Sequence, residues 1–143
     1  MKDDYGILGA KIVSLGDVAS RVPIPVEDQF IEYGVRWSDG ELAPDVLELV
    51  TDGYYDGDDE RELEGKTYSL AFSEETVSDV LAARENVPKR QRLNAEIHLR
   101  YYIEFDAFLF PDHLGVGGFW RWGGGSRSEK REPQEFYDYW SKQ

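Results

Sequence analysis

The chain contains no cysteine, so its stability cannot rest on disulfides, and thiolate metal ligands and thiol nucleophiles are excluded. Histidine is nearly as scarce, with only His98 and His113. There is no His-Glu-x-x-His, no Gly-x-Ser-x-Gly and no Gly-Lys-Ser/Thr loop, which leaves zinc-protease, serine-hydrolase and phosphate-loop chemistry without their usual carriers. No apolar run approaches the roughly 18 residues of a membrane span, and Asp3 and Asp4 stand where an export signal needs a basic start. These absences together predict a reduced, cytoplasmic protein that does not engage membranes. Positive charge is the remaining shortage: 16 Lys and Arg face 29 Asp and Glu, for a net charge of −13. Residues 1–75 hold 19 acids and 6 bases, whereas residues 76–143 hold 10 of each. The whole imbalance therefore lies in the first half. Such a field repels phosphate backbones, whose binding depends on Lys and Arg displacing counterions. Nucleic acid is excluded as a ligand on this ground, and a basic protein is favoured.

What the chain does have is apolar and aromatic mass. Hydrophobic residues make up 41% of its 143 positions and aromatics 14%, too much for a disordered acidic tail. The length suits one domain spanning residues 1–143. "YGILGAKIV" reads as a strand, and "SLGDVASRV" as a short helix with Ser14 at its N-cap. "QFIEYGVRW" alternates through Ile31, Tyr33, Val35 and Trp37; after a turn at Asp39-Gly40 and Pro44, "DVLELVT" forms a further strand. "KTYSLAF" is a strand leading to Ser73, which caps a helix with Glu74 and Glu75 in its first turn and ends before Pro88. "AEIHLRYYIEFDAFLF" alternates over a dozen residues, with Ile97, Leu99, Tyr101, Ile103 and Phe105 against Glu96, His98, Arg100, Tyr102 and Glu104. That period predicts a long strand. A helix from Asn94 is the alternative, stacking Ile97, Tyr101 and Phe105 at i, i+4 and i+8. "FWRW" after a glycine turn suggests a short strand, and "PQEFYDYW" a closing helix that buries Phe136, Tyr139 and Trp140. Mixed elements without regular alternation predict an α+β fold, a mainly antiparallel sheet with two to four helices packed on it.

The densest chemical feature is "GYYDGDDERELEG" at 53–65, where Asp56, Asp58, Asp59, Glu60, Glu62 and Glu64 surround one cation, Arg61. A calcium loop started at Asp56 finds Asp58 and Glu60 in place, but Arg61 at the glycine position and Thr67 where the bidentate Glu belongs. No metal and no cofactor is therefore expected. Tyr54 and Tyr55 beside the acids are two large rings that either the fold or a partner covers. A metal-dependent enzyme can be drawn on Glu104 and Asp106, which share one face of the expected long strand, with Asp112 and His113 nearby. In a chain with 29 acids such coincidences arise by composition, so no catalytic residue is assigned. "PKRQR" at 88–92 is a basic segment able to pair with the acidic block inside the molecule.

The helix "SLGDVASRV" ahead of a Trp-containing strand, the "YYDGDDERELEG" block, "YSLAFSEETVSDVLA" and "YYIEFDAFL" together resemble the small acidic immunity proteins of bacterial polymorphic toxin systems, over about residues 10–110. The resemblance implies a non-enzymatic protein that binds and neutralises a cognate toxin domain with a basic surface. Tyr54, Tyr55, Asp56, Asp58, Asp59, Glu60, Glu62 and Glu64 would then form the partner-binding surface. A DNA-mimicking inhibitor is the other acidic binder to weigh, but its carboxylates should be spread along a duplex-like surface.

Overall fold

A computed structural model describes residues 7–20, 30–52, 60–114 and 132–143. The fold is α+β, an antiparallel sheet with helices packed on it, and no helix among the described residues is long and apolar enough to cross a membrane. Five strands, β1 (Ile7–Ser14), β2 (Phe30–Val35), β5 (Asp45–Thr51), β6 (Glu60–Leu63) and β7 (Lys66–Ser73), form the main sheet in the order β1-β5-β2-β7-β6. Every neighbouring pair is antiparallel. A separate ribbon of β3 (Trp37–Ser38) and β4 (Glu41–Leu42) interrupts the path from β2 to β5. Both tight hairpins turn on two residues with positive φ, Asp39-Gly40 (54° and 79°) and Glu64-Gly65 (53° and 79°). This geometry matches the right-handed twist of the flanking strands and makes glycine the natural second residue.

Side chains at alternate positions of the sheet meet the helices. Val13, Ile31, Tyr33, Val35, Val46 and Phe72 pack with residues of α1 (Leu15–Ser20), α2 (Glu74–Glu85) and α3 (Ala95–Phe105) in one core. Tyr33 and Phe72 are register partners, and their rings stack at 5.1 Å. Caps set the helix starts as the sequence predicts: Ser14 Oγ accepts from Asp17 N–H, and Ser73 Oγ from Thr76 N–H. Arg36 and Tyr68 lock three strands at their common end. The Arg36 guanidinium donates to both oxygens of Asp45 at 2.7 and 2.6 Å, and the Tyr68 hydroxyl donates to Asp45 Oδ2 at 2.6 Å. These bonds, Arg36 first, hold the Asp45 pKa down at about 2 against the opposing effect of burial.

The expected long strand over 96–107 is a helix. Asn94 caps α3 by accepting from Ile97 N–H at 3.2 Å, and Asp106 ends it in the left-handed conformation. The alternation arises because α3 is the middle layer of the molecule. Leu99 and Ile103 face the sheet core, whereas Ile97, Tyr101 and Phe105 face a second core with Leu109 and Phe136. Two helical stripes on opposite sides of one helix, each spaced by four and offset by two, fill every odd position and imitate a strand. The second core is closed by α4 (Pro133–Ser141), where Phe136 meets Tyr101 and Phe105 edge-on. Pro133 stands in the first turn as expected, but only Phe136 of the three anticipated aromatics is fully buried. Trp140 is half-buried, and Tyr139 is exposed on the outer side of α4.

Candidate functional site

The acidic block is only partly within the described residues. Tyr54, Tyr55, Asp56, Asp58 and Asp59 lie outside them. Glu60 and Glu62 belong to β6, an edge strand, and Glu64 is the first residue of the β6–β7 turn. The end of the block is thus part of a β-hairpin. Glu60 lies opposite Ser69 and Glu62 opposite Thr67, which puts both carboxylates on one face of the edge, and both are exposed. Charges on an edge strand discourage indiscriminate strand pairing.

Among the described residues, Arg92 of the 88–92 segment is engaged at the end of α2 and not with the acidic block. Its guanidinium donates to the Glu85 and Val87 carbonyls and pairs with the Glu85 carboxylate at 3.5 Å, closing the end of α2. Lys89 and Arg90 are exposed, and among the described residues neither pairs with Glu60, Glu62 or Glu64.

Glu104 and Asp106 do not share a face. A separation of two residues on a helix turns the side chains about 200° apart, and their surroundings differ accordingly. Glu104 is buried inside α3, whereas Asp106 is the exposed C-cap. Asp112 and His113 are exposed on a separate short turn of 3₁₀ helix. Among the described residues, no group of three or more His, Asp and Glu side chains is placed to hold a metal. The other imidazole, His98, is enclosed in the fold: its Nε2 accepts from the Leu93 N–H at 3.2 Å. Burial, with repulsion from Arg84 and Arg92 added, brings its pKa down to about 4.

The site that the fold does assemble lies at the opposite end of the sheet from the Asp45 lock. There a groove of about 400 Å³ opens between the ends of β2, β5 and β7 and the start of α2. Strand register builds its floor. Phe30 is opposite Thr51, and Glu32 is opposite Ser73, which immediately precedes Glu74 and Glu75 in the first turn of α2. Phe30 and Glu32, two residues apart on a strand, present their side chains to the same face. The Phe30 ring is 54% exposed. Among the described residues, Glu32, Glu74 and Glu75 form no ion pair. This distinguishes them from the carboxylates beside the sheet core, since Glu48 is paired with Lys11 at 3.4 Å and Asp45 is held by Arg36. Sequence reading placed Glu74 and Glu75 beside the helix dipole, gave Glu32 no role, and did not anticipate that the three line one groove. The signal that joins them is the β2–β7 register, which brings together residues more than forty positions apart.

Comparison of the chain with protein-family models, with curated proteins and with solved structures finds no match.

Proposed function

We propose that the protein is an immunity-type binder that neutralises a cognate bacterial toxin domain by capturing its basic surface at the acidic end of the sheet. One observation carries this reading. Glu32, Glu74 and Glu75, which form no ion pair among the described residues, line one open groove together with the exposed Phe30, and Thr51, which also lines it, is followed at once by Asp52 and the 53–65 block. Concentrated charge of one sign speeds encounter with a complementary surface, and a central aromatic slows release. Uncompensated repulsion costs the free protein stability, a cost that a bound partner removes. A cytoplasmic location suits a cysteine-free chain that must meet a toxin where it acts.

Coexpression tests the proposal. The toxin domain encoded beside this gene should lose its toxicity when the chain is present, and the purified pair should form a stable complex. Undiminished toxicity with both proteins folded and expressed would remove the immunity assignment.

A further inference from the structure

We infer that the aromatic surface of Tyr102, Phe108 and Phe110 at the end of α3 docks a Lys or Arg side chain of the basic partner, seated on the exposed Phe108 ring beside Asp79 and Asp106. This rests on the binding reading above and adds a place of contact separate from the groove, on the helical side of the sheet.

Tyr102 is the common neighbour that brings these groups together. The Phe108 ring lies 5.6 Å from that of Tyr102, tilted by 33°, and 6.5 Å from that of Phe110, edge-on. Tyr102 packs against the sheet core, whereas Phe108 and Phe110 belong to neither core, and Phe108 is 39% exposed. The carboxylates meet the same residue. Burial, with repulsion from Asp106 and Asp79 added, raises the Tyr102 pKa, so both acids lie within electrostatic reach of its hydroxyl, one from the end of α3 and one from α2.

Charge decides the sign of the occupant. Asp79 and Asp106 are exposed, and among the described residues neither forms an ion pair. The end of a helix carries roughly half a negative charge and is ordinarily met by Lys, Arg or His. α3 has no basic residue in its last turn, and its left-handed C-cap, a place where glycine would serve without charge, is Asp106. The dipole and both carboxylates therefore attract a cation to this end, and the face of an aromatic ring attracts it further. Three rings decide its kind. A divalent ion needs oxygen ligands gathered around one point, and among the described residues no group of three or more acids and histidines is so placed. Lys and Arg carry an apolar stem that lies along ring surface while the charged head reaches the acids.

Titration of the isotopically labelled full-length protein with a hexa-arginine peptide at low salt, followed by backbone amide NMR, tests this, with neutral hexaglutamine as the control. The cationic peptide should perturb residues 79, 102 and 106–110 in a saturable manner, and hexaglutamine should not. Phe108→Ala, a change at an exposed position, should weaken the affinity read from these amides about threefold, the factor of one exposed cation–ring contact. The double variant Asp79→Asn/Asp106→Asn, in which asparagine keeps the left-handed cap, should weaken it about tenfold through the loss of two exposed charge pairs. Unchanged affinity in both variants, or equal perturbation by hexaglutamine, overturns the cation assignment. If residues 79, 102 and 106–110 show no saturable change while residues 30–32, 60–64 or 73–75 do, this surface is overturned and the acidic binding reading stands. Coexpression separates the reverse case: a toxin domain that stays toxic although the peptide binds at residues 102–110 as expected removes the immunity reading and leaves the cation-docking surface in place.

Discussion

Single residues in this protein owe their chemistry to neighbours that the sequence does not bring close. His98 reads in sequence as an unassigned imidazole and turns out to be an internal acceptor, buried with its Nε2 facing the Leu93 N–H and with Arg84 and Arg92 nearby. Its pKa is lowered from 6.5 to about 4, so between these values the unfolded chain binds a proton that the native protein refuses. Stability contributed by the neutral ring is complete above about pH 6.5 and is lost as the pH falls toward 4, with an upper bound of about 3 kcal/mol. Thermal unfolding followed across this range should show a falling midpoint, and His98→Gln, which keeps an acceptor without a titrating ring, should flatten the slope. A wild-type slope that persists in the variant would place the acid sensitivity elsewhere. Asp45 titrates in a separate and lower window: its depressed pKa means that its stabilising contribution is intact above about pH 4 and fades as the pH falls toward 2. The acids around the groove show the same dependence on neighbours. Glu32, Glu74 and Glu75 are each conventional in sequence, and only the β2–β7 register makes them one group.

Elements were legible where turn residues and caps bounded a short strand or a helix, and ambiguous where one helix served two cores. β2, β5 and β7, and the cap of α2 at Ser73, follow from alternation, turn residues and capping chemistry that act over a few positions. α3 defeated the same reasoning because it is sandwiched. Its odd positions serve two cores at once, and its even positions, which read as a solvent face, include the buried His98, Arg100 and Glu104. Arg100 is buried usefully: it donates to the Leu42 carbonyl at 3.1 Å, tying α3 to the β3–β4 ribbon, and stacks over Trp140 of α4 at 5.4 Å. The end of α3 yields a prediction at this scale. Asp106 holds φ at 54° and places a negative charge at the negative end of the helix dipole. Both features are unfavourable for Asp, and glycine is free of both. Asp106→Gly should stabilise the fold by about 1 kcal/mol, raising the midpoint of thermal unfolding by roughly 2–4 °C in a protein of this size. A lower midpoint would mean that the Asp106 side chain has a binding or structural role beyond the cap.

At the scale of the whole molecule, charge is segregated as the sequence indicated, and the fold adds direction to it. The groove acids and the residue entering the 53–65 block lie at one end of the sheet, while the Asp45 lock with its cations Arg36 and Lys66 closes the other. If the block steers a basic partner, replacing Asp56, Asp58, Asp59 and Glu60 by Asn and Gln should mainly lower the association rate and leave dissociation nearly unchanged. The difference from wild type should shrink as the screening length falls from about 8 Å at physiological salt to about 3 Å at 1 M. An unchanged rate at low salt would confine recognition to contacts outside the block. Composition and local pattern were sufficient to determine the α+β class, most strand and cap positions, and the excess of acid in the first half, because these depend on totals and on neighbours within a turn or a strand. The helical state of α3, the burial of His98 and Glu104, the separation of Glu104 from Asp106, and the assembly of Glu32 with Glu74 and Glu75 were decided only by tertiary structure. Each depends on which layer covers a residue or which strand lies opposite it, and packing of segments distant in the chain fixes both.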